Sequence, residues 1–194
     1  MNILPVNLNF GGYAMRRVFA MVLVLAPLCV AMVAGAQTKA PTTLRGVLLE
    51  QLHTTHDSED WFVPAKIAVD GLTAEEAQWS PGKGNHSVGQ LAYHLWYWNA
   101  RELATFNGEK LAPFDGNNNE TFDKFNAAQW DDLKVKLDKV MADWEKAVEG
   151  ADDKKLAENA SLIAHVGAHN AYHIGQILYV RKLQGKWDPA KGVK

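Results

Sequence analysis

The chain has 194 residues, 22% of them charged, and a formal net charge of −2 at pH 7. That length suits one domain with a sizeable core, for which the seven tryptophans supply bulk. A mildly acidic chain without a cluster of Lys and Arg offers no electrostatic surface for nucleic acid, so we exclude nucleic acid as a partner.

The N-terminal segment has the pattern of an export signal. Arg16 and Arg17 precede an apolar run over residues 18–33, and three small residues follow this run. A charged start, a short apolar run and a small-residue cleavage site are typical of a secretory signal peptide. We therefore expect cleavage after Ala36 and a periplasmic or secreted product. Residues 1–14 are expected to come from an over-early start codon.

The apolar run is short for a membrane span, which needs about 20 apolar residues. The chain after it offers no further candidate, so we expect no stable span after processing; an uncleaved N-terminal anchor is the alternative. The only cysteine, Cys29, lies inside the run. Residues 37–194 would then contain no disulfide, no thiolate ligand and no cysteine nucleophile.

Helical periodicity accounts for most of residues 37–194, which we assign to a single domain. Pro64 is expected to kink the first helix or to end its regular part. The connection over residues 111–130 is rich in turn residues and has room for one short helix. These elements predict an all-α fold, an antiparallel four-helix bundle with one long crossing connection. The four predicted helices cover about Thr43–Val69, Val88–Phe106, Trp130–Val148 and Ser161–Leu183.

The last predicted helix carries three histidines four residues apart, His165, His169 and His173. The stripe of this helix that is expected to face the core recurs at alternating steps of four and three residues. It includes His169 and His173, whereas His165 lies beside it. Side chains four residues apart are neighbours on a helix, so two imidazoles can converge on one ion. A catalytic zinc site usually has three protein ligands. His94, among apolar residues of the second predicted helix, is the candidate for the third.

The competing interpretation is a plain bundle whose histidines are hydrogen-bonded core residues. A single histidine on an apolar face favours that interpretation. Three histidines on two apolar helices favour a metal instead, because neutral imidazoles are costly to bury without partners and one ion satisfies all three.

Three further residues are candidate helpers of such a centre. His56 continues an apolar line on the first predicted helix, and His165 flanks the ligand pair. Gln176 lies one helical step beyond His173 and could orient its ring, which is a common role for a residue that contacts a metal ligand. No catalytic role is assigned to any of them.

Other polar residues near these helices have simpler explanations. His86 lies in the turn before the second predicted helix and is expected to be exposed. Arg101 and Glu102 follow His94 by about two turns and are expected to form a surface ion pair.

Three segments together resemble the DinB-like superfamily. They are LTAEEAQWSPGKGNHS at 72–87, SVGQLAYHL at 87–95 and HNAYHIGQI at 169–177. The resemblance covers about residues 44–184. It implies a four-helix bundle with a divalent metal held by one histidine of the second helix and two of the last. Carried onto this chain, those ligands are His94, His169 and His173.

Two features of the chain differ from the usual pattern of that superfamily. An export signal is present, whereas most relatives are cytoplasmic, and this argues against a cytosolic thiol cosubstrate. Ile174 stands where a basic residue often precedes the Gly-Gln pair, so one positive group is missing from the neighbourhood of the histidines.

Three neutral nitrogen ligands leave a divalent ion with its full charge and an open position. Zinc or nickel is the expected ion, and iron or manganese is compatible with the same ligands. Such an ion lowers the pKa of a bound water and deprotonates a bound thiol. Superfamily members with assigned activities are thiol-dependent transferases and isomerases.

The resemblance therefore implies a divalent-metal-dependent transferase that uses a low-molecular-weight thiol, with hydrolysis of a small-molecule substrate as the other chemistry. The alternative from another class is a non-catalytic metal-binding or stress-related helical-bundle protein. A fourth protein ligand that closed the metal shell would favour that alternative. The oligomeric state is left open, although bundles of this kind often pair as homodimers.

Overall fold

The computed structural model describes residues 40–192, and the expected export signal over residues 1–36 lies outside the described residues. Within the described part the chain is all-helical and has no β-strand, which confirms the predicted all-α fold. None of the helices in this part is both long and apolar enough to cross a lipid bilayer. The α-helices are α1 (Leu44–His56), α2 (Ala65–Val69), α3 (Ala74–Gln78), α4 (Val88–Phe106), α5 (Glu120–Asp123), α6 (Trp130–Gly150) and α7 (Asp153–Leu183).

The four long helices form a closed ring, in which α1 and α4 each pack against both α6 and α7. Arg45, at the start of α1, donates hydrogen bonds to Val148 O and Glu149 O at the end of α6, so these two helices run antiparallel. Lys136 lies over Trp96, and Trp144 contacts Phe106. These contacts show that α4 and α6 run in the same direction, so this pair departs from the predicted antiparallel arrangement, which the long connection between them allows.

Two predicted helix boundaries differ from the structure. The first predicted helix is divided, because α1 ends at His56 and Pro64 forms the N-cap of the separate helix α2. The last helix begins eight residues before the predicted start at Ser161. Its N-cap is Asp152, whose carboxylate accepts a hydrogen bond from the Lys155 backbone N–H.

A short helix that the periodicity did not predict, α3, precedes α4. Thr73 caps it and exchanges hydrogen bonds with Glu76 in a capping box. Ser87 and Gln90 make the same exchange at the start of α4. The second box fixes the point at which the chain enters α4, the helix that carries His94.

The register between α4 and α7 is fixed by two amides in the core. Asn99 and Asn170 are each 1% exposed, and Asn99 Nδ2 donates to Asn170 Oδ1 at 2.7 Å. Asn99 O also accepts a hydrogen bond from the Trp144 indole. Loss of the Asn99 amide would leave the Asn170 side chain buried and unsatisfied, which costs about 1–3 kcal/mol. This pair therefore fixes the position of the adjacent residue, His169, along the axis of α4.

Candidate metal centre

Three histidines meet where α4 faces α7. His94 from α4 and His169 and His173 from α7 each offer one ring nitrogen, and the three nitrogens lie within 4.8 Å of one another. His94 Nε2 and His169 Nε2 are 3.1 Å apart. Two nitrogens bound to one tetrahedral zinc ion lie roughly 3.3 Å apart, given zinc–nitrogen bonds of about 2.0–2.1 Å. The spacing therefore suits a shared ion.

The crossing connection determines which nitrogen His94 presents. His94 Nδ1 lies 2.5 Å from Thr121 Oγ1, and the Thr121 hydroxyl donates its single proton to Asn118 O at 2.6 Å. The hydroxyl must therefore accept a proton from His94 Nδ1. This leaves the lone pair of His94 Nε2 directed towards the other two histidines, the arrangement in which a neighbouring hydrogen bond orients a metal ligand.

His173 is oriented in the same way from within α7. Its Nδ1 lies 2.6 Å from Gln176 Oε1, and Gln176 Nε2 donates to the Tyr172 hydroxyl at 3.2 Å. Since the amide oxygen can only accept, His173 Nδ1 carries the proton and its Nε2 is free to bind an ion. Gln176 thus contacts a candidate ligand directly, in the orienting position considered from the sequence.

A stack of three rings supports His94. Phe122 of α5 lies parallel to His94 with 3.9 Å between ring centroids, and His86 stacks on the other face of Phe122 at the same distance. His86 is therefore half-buried beside the centre, and the prediction that it is exposed was wrong. Gly89 allows the ring of Phe125, three residues after Phe122, to pack directly against α4, because a Cβ there would collide with that ring.

Burial keeps the three histidines neutral. Burial, together with the positive charge that His173 or His169 would carry, lowers the pKa of His94 to about 3. Burial also lowers the pKa of His173 to about 4, and it lowers the pKa of His169. Neutral imidazoles are the form that binds a metal, so the lone pairs are available near neutral pH.

The histidines form one end of an open cleft of about 740 Å³ between α4, α7 and the crossing connection. Its walls combine polar side chains with a set of apolar and aromatic ones, a combination that occurs in sites for small molecules. His165 lines this cleft but is exposed and does not join the group of convergent nitrogens. The apolar and aromatic wall residues are Trp98, Phe122, Leu162, Val166 and Tyr172.

His56 lies away from this centre, at the contact between α1 and α6. Its Nδ1 is 2.7 Å from Glu145 Oε1 and its Nε2 is 3.1 Å from Asp138 Oδ1. Burial alone would lower the pKa of His56, but the hydrogen bonds with these two carboxylates outweigh burial and raise it. His56 continues the apolar line of α1 as predicted, yet the structure does not bring it to the three histidines, because its side chain is held by α6.

Arg101 and Glu102 do not form the expected ion pair. Successive residues on a helix point in different directions. The Arg101 guanidinium therefore donates to Ala112 O and lies 6.0 Å from the centre of the Phe114 ring, whereas Glu102 lines the cleft. Thr121 and Phe122 were also missed, because the turn-rich connection that carries them has no periodicity to show which side chains are buried.

Replacement of Thr121 by Val removes the acceptor of the His94 Nδ1 proton at nearly constant volume. We expect the affinity for zinc to fall about 10- to 100-fold. The measurement is competition with a chelator of known affinity. Thr105→Val is the matched control, because the Thr105 hydroxyl binds only the backbone of its own helix. Equal zinc affinities for the two variants would contradict the orienting role of Thr121.

Replacement of His56 by Gln tests the charged state of the α1–α6 contact. The folded pKa of His56 is raised, so its stabilisation is present below the ordinary pKa of about 6.5 and is lost as the pH rises through the folded value. The folded pKa values of Glu145 and Asp138 are lowered, so the contribution of these two carboxylates to stability is lost only as the pH falls through those values.

We expect His56→Gln to cost about 1.5–3 kcal/mol of unfolding free energy near pH 6 and less near pH 9. Urea denaturation at the two pH values measures this difference, with the exposed His165→Gln as the control. A cost that is the same at both pH values would show that His56 is not held as a cation.

Comparison with known proteins agrees with the geometry. A family model of the DinB superfamily matches residues 66–177, more than half of the chain, and this segment contains all three convergent histidines. No curated protein and no solved structure matches significantly. The superfamily has metal-binding members, and the three-histidine group is one that could hold a metal ion. The chain belongs to the DinB superfamily.

Proposed function

We propose that the protein is a divalent-metal-dependent enzyme of thiol-transferase or hydrolase type that acts on a small molecule in the cleft. The observation that carries this proposal is the convergence of His94, His169 and His173 at the end of an open cleft. Each of the three offers a neutral nitrogen donor, and the cleft gives a small molecule access to the point where they meet.

The donor set fits a divalent ion. The Nδ1 atoms of His94 and His173 are occupied by Thr121 and Gln176, so each ring has its Nε2 lone pair for an ion. Zinc and nickel accept three imidazole ligands, as do iron(II) and manganese. When bound, such an ion supplies Lewis-acid chemistry and lowers the pKa of a water or thiol placed on it.

The remaining cleft residues would bind and orient the substrate. The Trp98 indole is held by Asn118, to which its Nε1 donates at 3.2 Å, and it offers a flat apolar wall. His165 lies one helical turn from His169 on the same cleft. We assign to a ring nitrogen of His165 a hydrogen bond to the substrate, because this side chain lines the cleft and does not join the ligand group.

An open metal shell favours catalysis over a purely structural or storage role. Among residues 40–192 no fourth His, Cys, Asp or Glu joins the three histidines. Structural zinc sites are generally closed by four protein ligands, whereas catalytic sites keep one position for water or substrate. The non-catalytic alternative would require a ligand from elsewhere.

Export is a separate part of the proposal. Arg16 and Arg17 followed by the apolar run support a signal peptide, and the three histidines all lie well after it. Mass spectrometry of the secreted or periplasmic protein tests this part. A mature chain that begins at Gln37 is expected, and an intact N-terminus in the cytoplasm would contradict export.

Metal analysis of protein purified without a histidine tag tests the centre itself. We expect about one equivalent of divalent metal, because three nitrogens define one site, and its loss in the His169→Ala, His173→Ala double variant. The His53→Ala, His165→Ala double variant removes two histidines outside the ligand group and is the matched control. Retention of metal by the first variant would refute the ligand assignment.

Activity is tested with the metal-loaded protein, with the His169→Ala, His173→Ala double variant and with His53→Ala as the control, because His53 does not line the cleft. Small thiols are screened with chloro-aromatic and epoxide electrophiles, and simple esters are screened for hydrolysis. We expect turnover that disappears with His169→Ala, His173→Ala. Bound metal without either activity would favour the non-catalytic alternative.

A further inference from the structure

The cleft extends well beyond the three histidines. His94, Trp98 and Glu102 recur every four residues on α4, so they lie on one face of the helix. The eight residues from His94 to Glu102 span roughly 12 Å along the helix axis. The far end of the cleft is therefore the part lined by Glu102, together with His165 and Leu162 from the preceding turns of α7.

Glu102 gives this far end a negative charge. It is the only Asp, Glu, Lys or Arg among the described residues that line the cleft. No salt bridge to Glu102 occurs within residues 40–192. The neighbouring Arg101 does not compensate the charge, because its guanidinium is bound to Ala112 O in the crossing connection. The carboxylate is half-buried and free to meet a ligand.

The wall between the two ends includes Trp98 and Asn99 from α4 and Val166 from α7. Trp98 and Val166 make part of this wall aromatic and apolar, and the Tyr172 ring adds an aromatic face at the level of the histidines. Aromatic faces tolerate an alkyl chain and also attract a cation. By contrast, none of the described lining residues is a Lys or Arg that would bind a carboxylate or a phosphate.

We propose that the cleft selects small molecules with an electron-rich, metal-binding head, an apolar middle and a protonated amine at the far end, and that Glu102 determines this selectivity. The inference rests on the proposed function, since the head requires the ion. A tail ammonium gains attraction from Glu102, whereas a tail carboxylate is repelled by it. Thiols that carry acidic groups are accordingly poor ligands of this cleft.

Three six-carbon thiols that differ only in the tail test the selectivity: aminohexanethiol, mercaptohexanol and mercaptohexanoic acid. The protein is loaded with cobalt(II), whose absorption band from sulfur ligation reports binding of the thiolate as its proton passes to the buffer. We expect the amine to bind about three- to tenfold more tightly than the alcohol, and the acid more weakly than the alcohol by a similar factor.

Glu102→Gln is the diagnostic variant, because it keeps the shape of the side chain and removes its charge. In this variant we expect the affinities of the three thiols to differ by no more than about twofold, because the charge that distinguishes their tails has been removed. Glu109→Gln, at an exposed carboxylate just after α4, is the matched control and should keep the order of the unmodified protein. The cobalt content of each variant verifies that the centre is intact.

The possible results separate the inference from the proposed function. If the three thiols give sulfur bands in the unmodified protein but bind equally tightly or in the reverse order, the selectivity is overturned. The open metal centre would still stand. An order that persists in Glu102→Gln would overturn the role of Glu102. Cobalt binding without a sulfur band for any of the three thiols would contradict the open position, and with it both proposals.

Discussion

Buried, neutral imidazoles that face one another are the constraint on which the centre depends. Thr121 and Gln176 bind the Nδ1 protons of His94 and His173, so two Nε2 lone pairs are directed into the same small space. His169 can donate a proton to only one of them, and it lies 3.1 Å from His94 Nε2. Without an ion, the Nε2 lone pair of His173 has no hydrogen-bond donor among the described residues. A cation at the common point satisfies all three rings at once.

The crossing connection contributes to the centre as much as the two long helices do. Because α4 and α6 run in the same direction, the chain between them must return along the whole molecule, and α5 lies on this path. It supplies both the Thr121 hydroxyl, which accepts the proton of His94 Nδ1, and the stacked ring of Phe122 that supports His94. The same path supplies Asn118, which fixes Trp98 on the cleft wall. The three-histidine end and the Trp98 wall of the cleft are thus supported by one segment.

The sequence predicted the parts of this arrangement that follow from periodicity. A four-residue spacing on an apolar helix placed His169 and His173 together, and an apolar neighbourhood indicated His94; the structure does bring these three residues into one group. The helical character of the elements and the all-α fold follow from the same helical periodicity. The agreement arises because side-chain direction on a helix depends on local spacing alone.

The parts that were missed depend on contacts between distant segments. Thr121 lies in a turn-rich stretch, where no period shows which side chains are buried. His56 lies on the predicted face of α1, but its partners, Asp138 and Glu145, come from α6 and no spacing within α1 reveals them. His86 is half-buried only because Phe122 stacks on it. In each case the deciding neighbour is more than 25 residues away in the chain.

X-ray absorption spectroscopy of the zinc-loaded protein tests the central claim most directly, because the extended fine structure shows the scattering pattern of imidazole ligands. The account predicts three imidazole nitrogens at about 2.0–2.1 Å and one further oxygen or nitrogen ligand that an added thiol replaces by sulfur at about 2.3 Å. A shell made only of oxygen atoms, or one closed by four protein ligands that no thiol displaces, would contradict it.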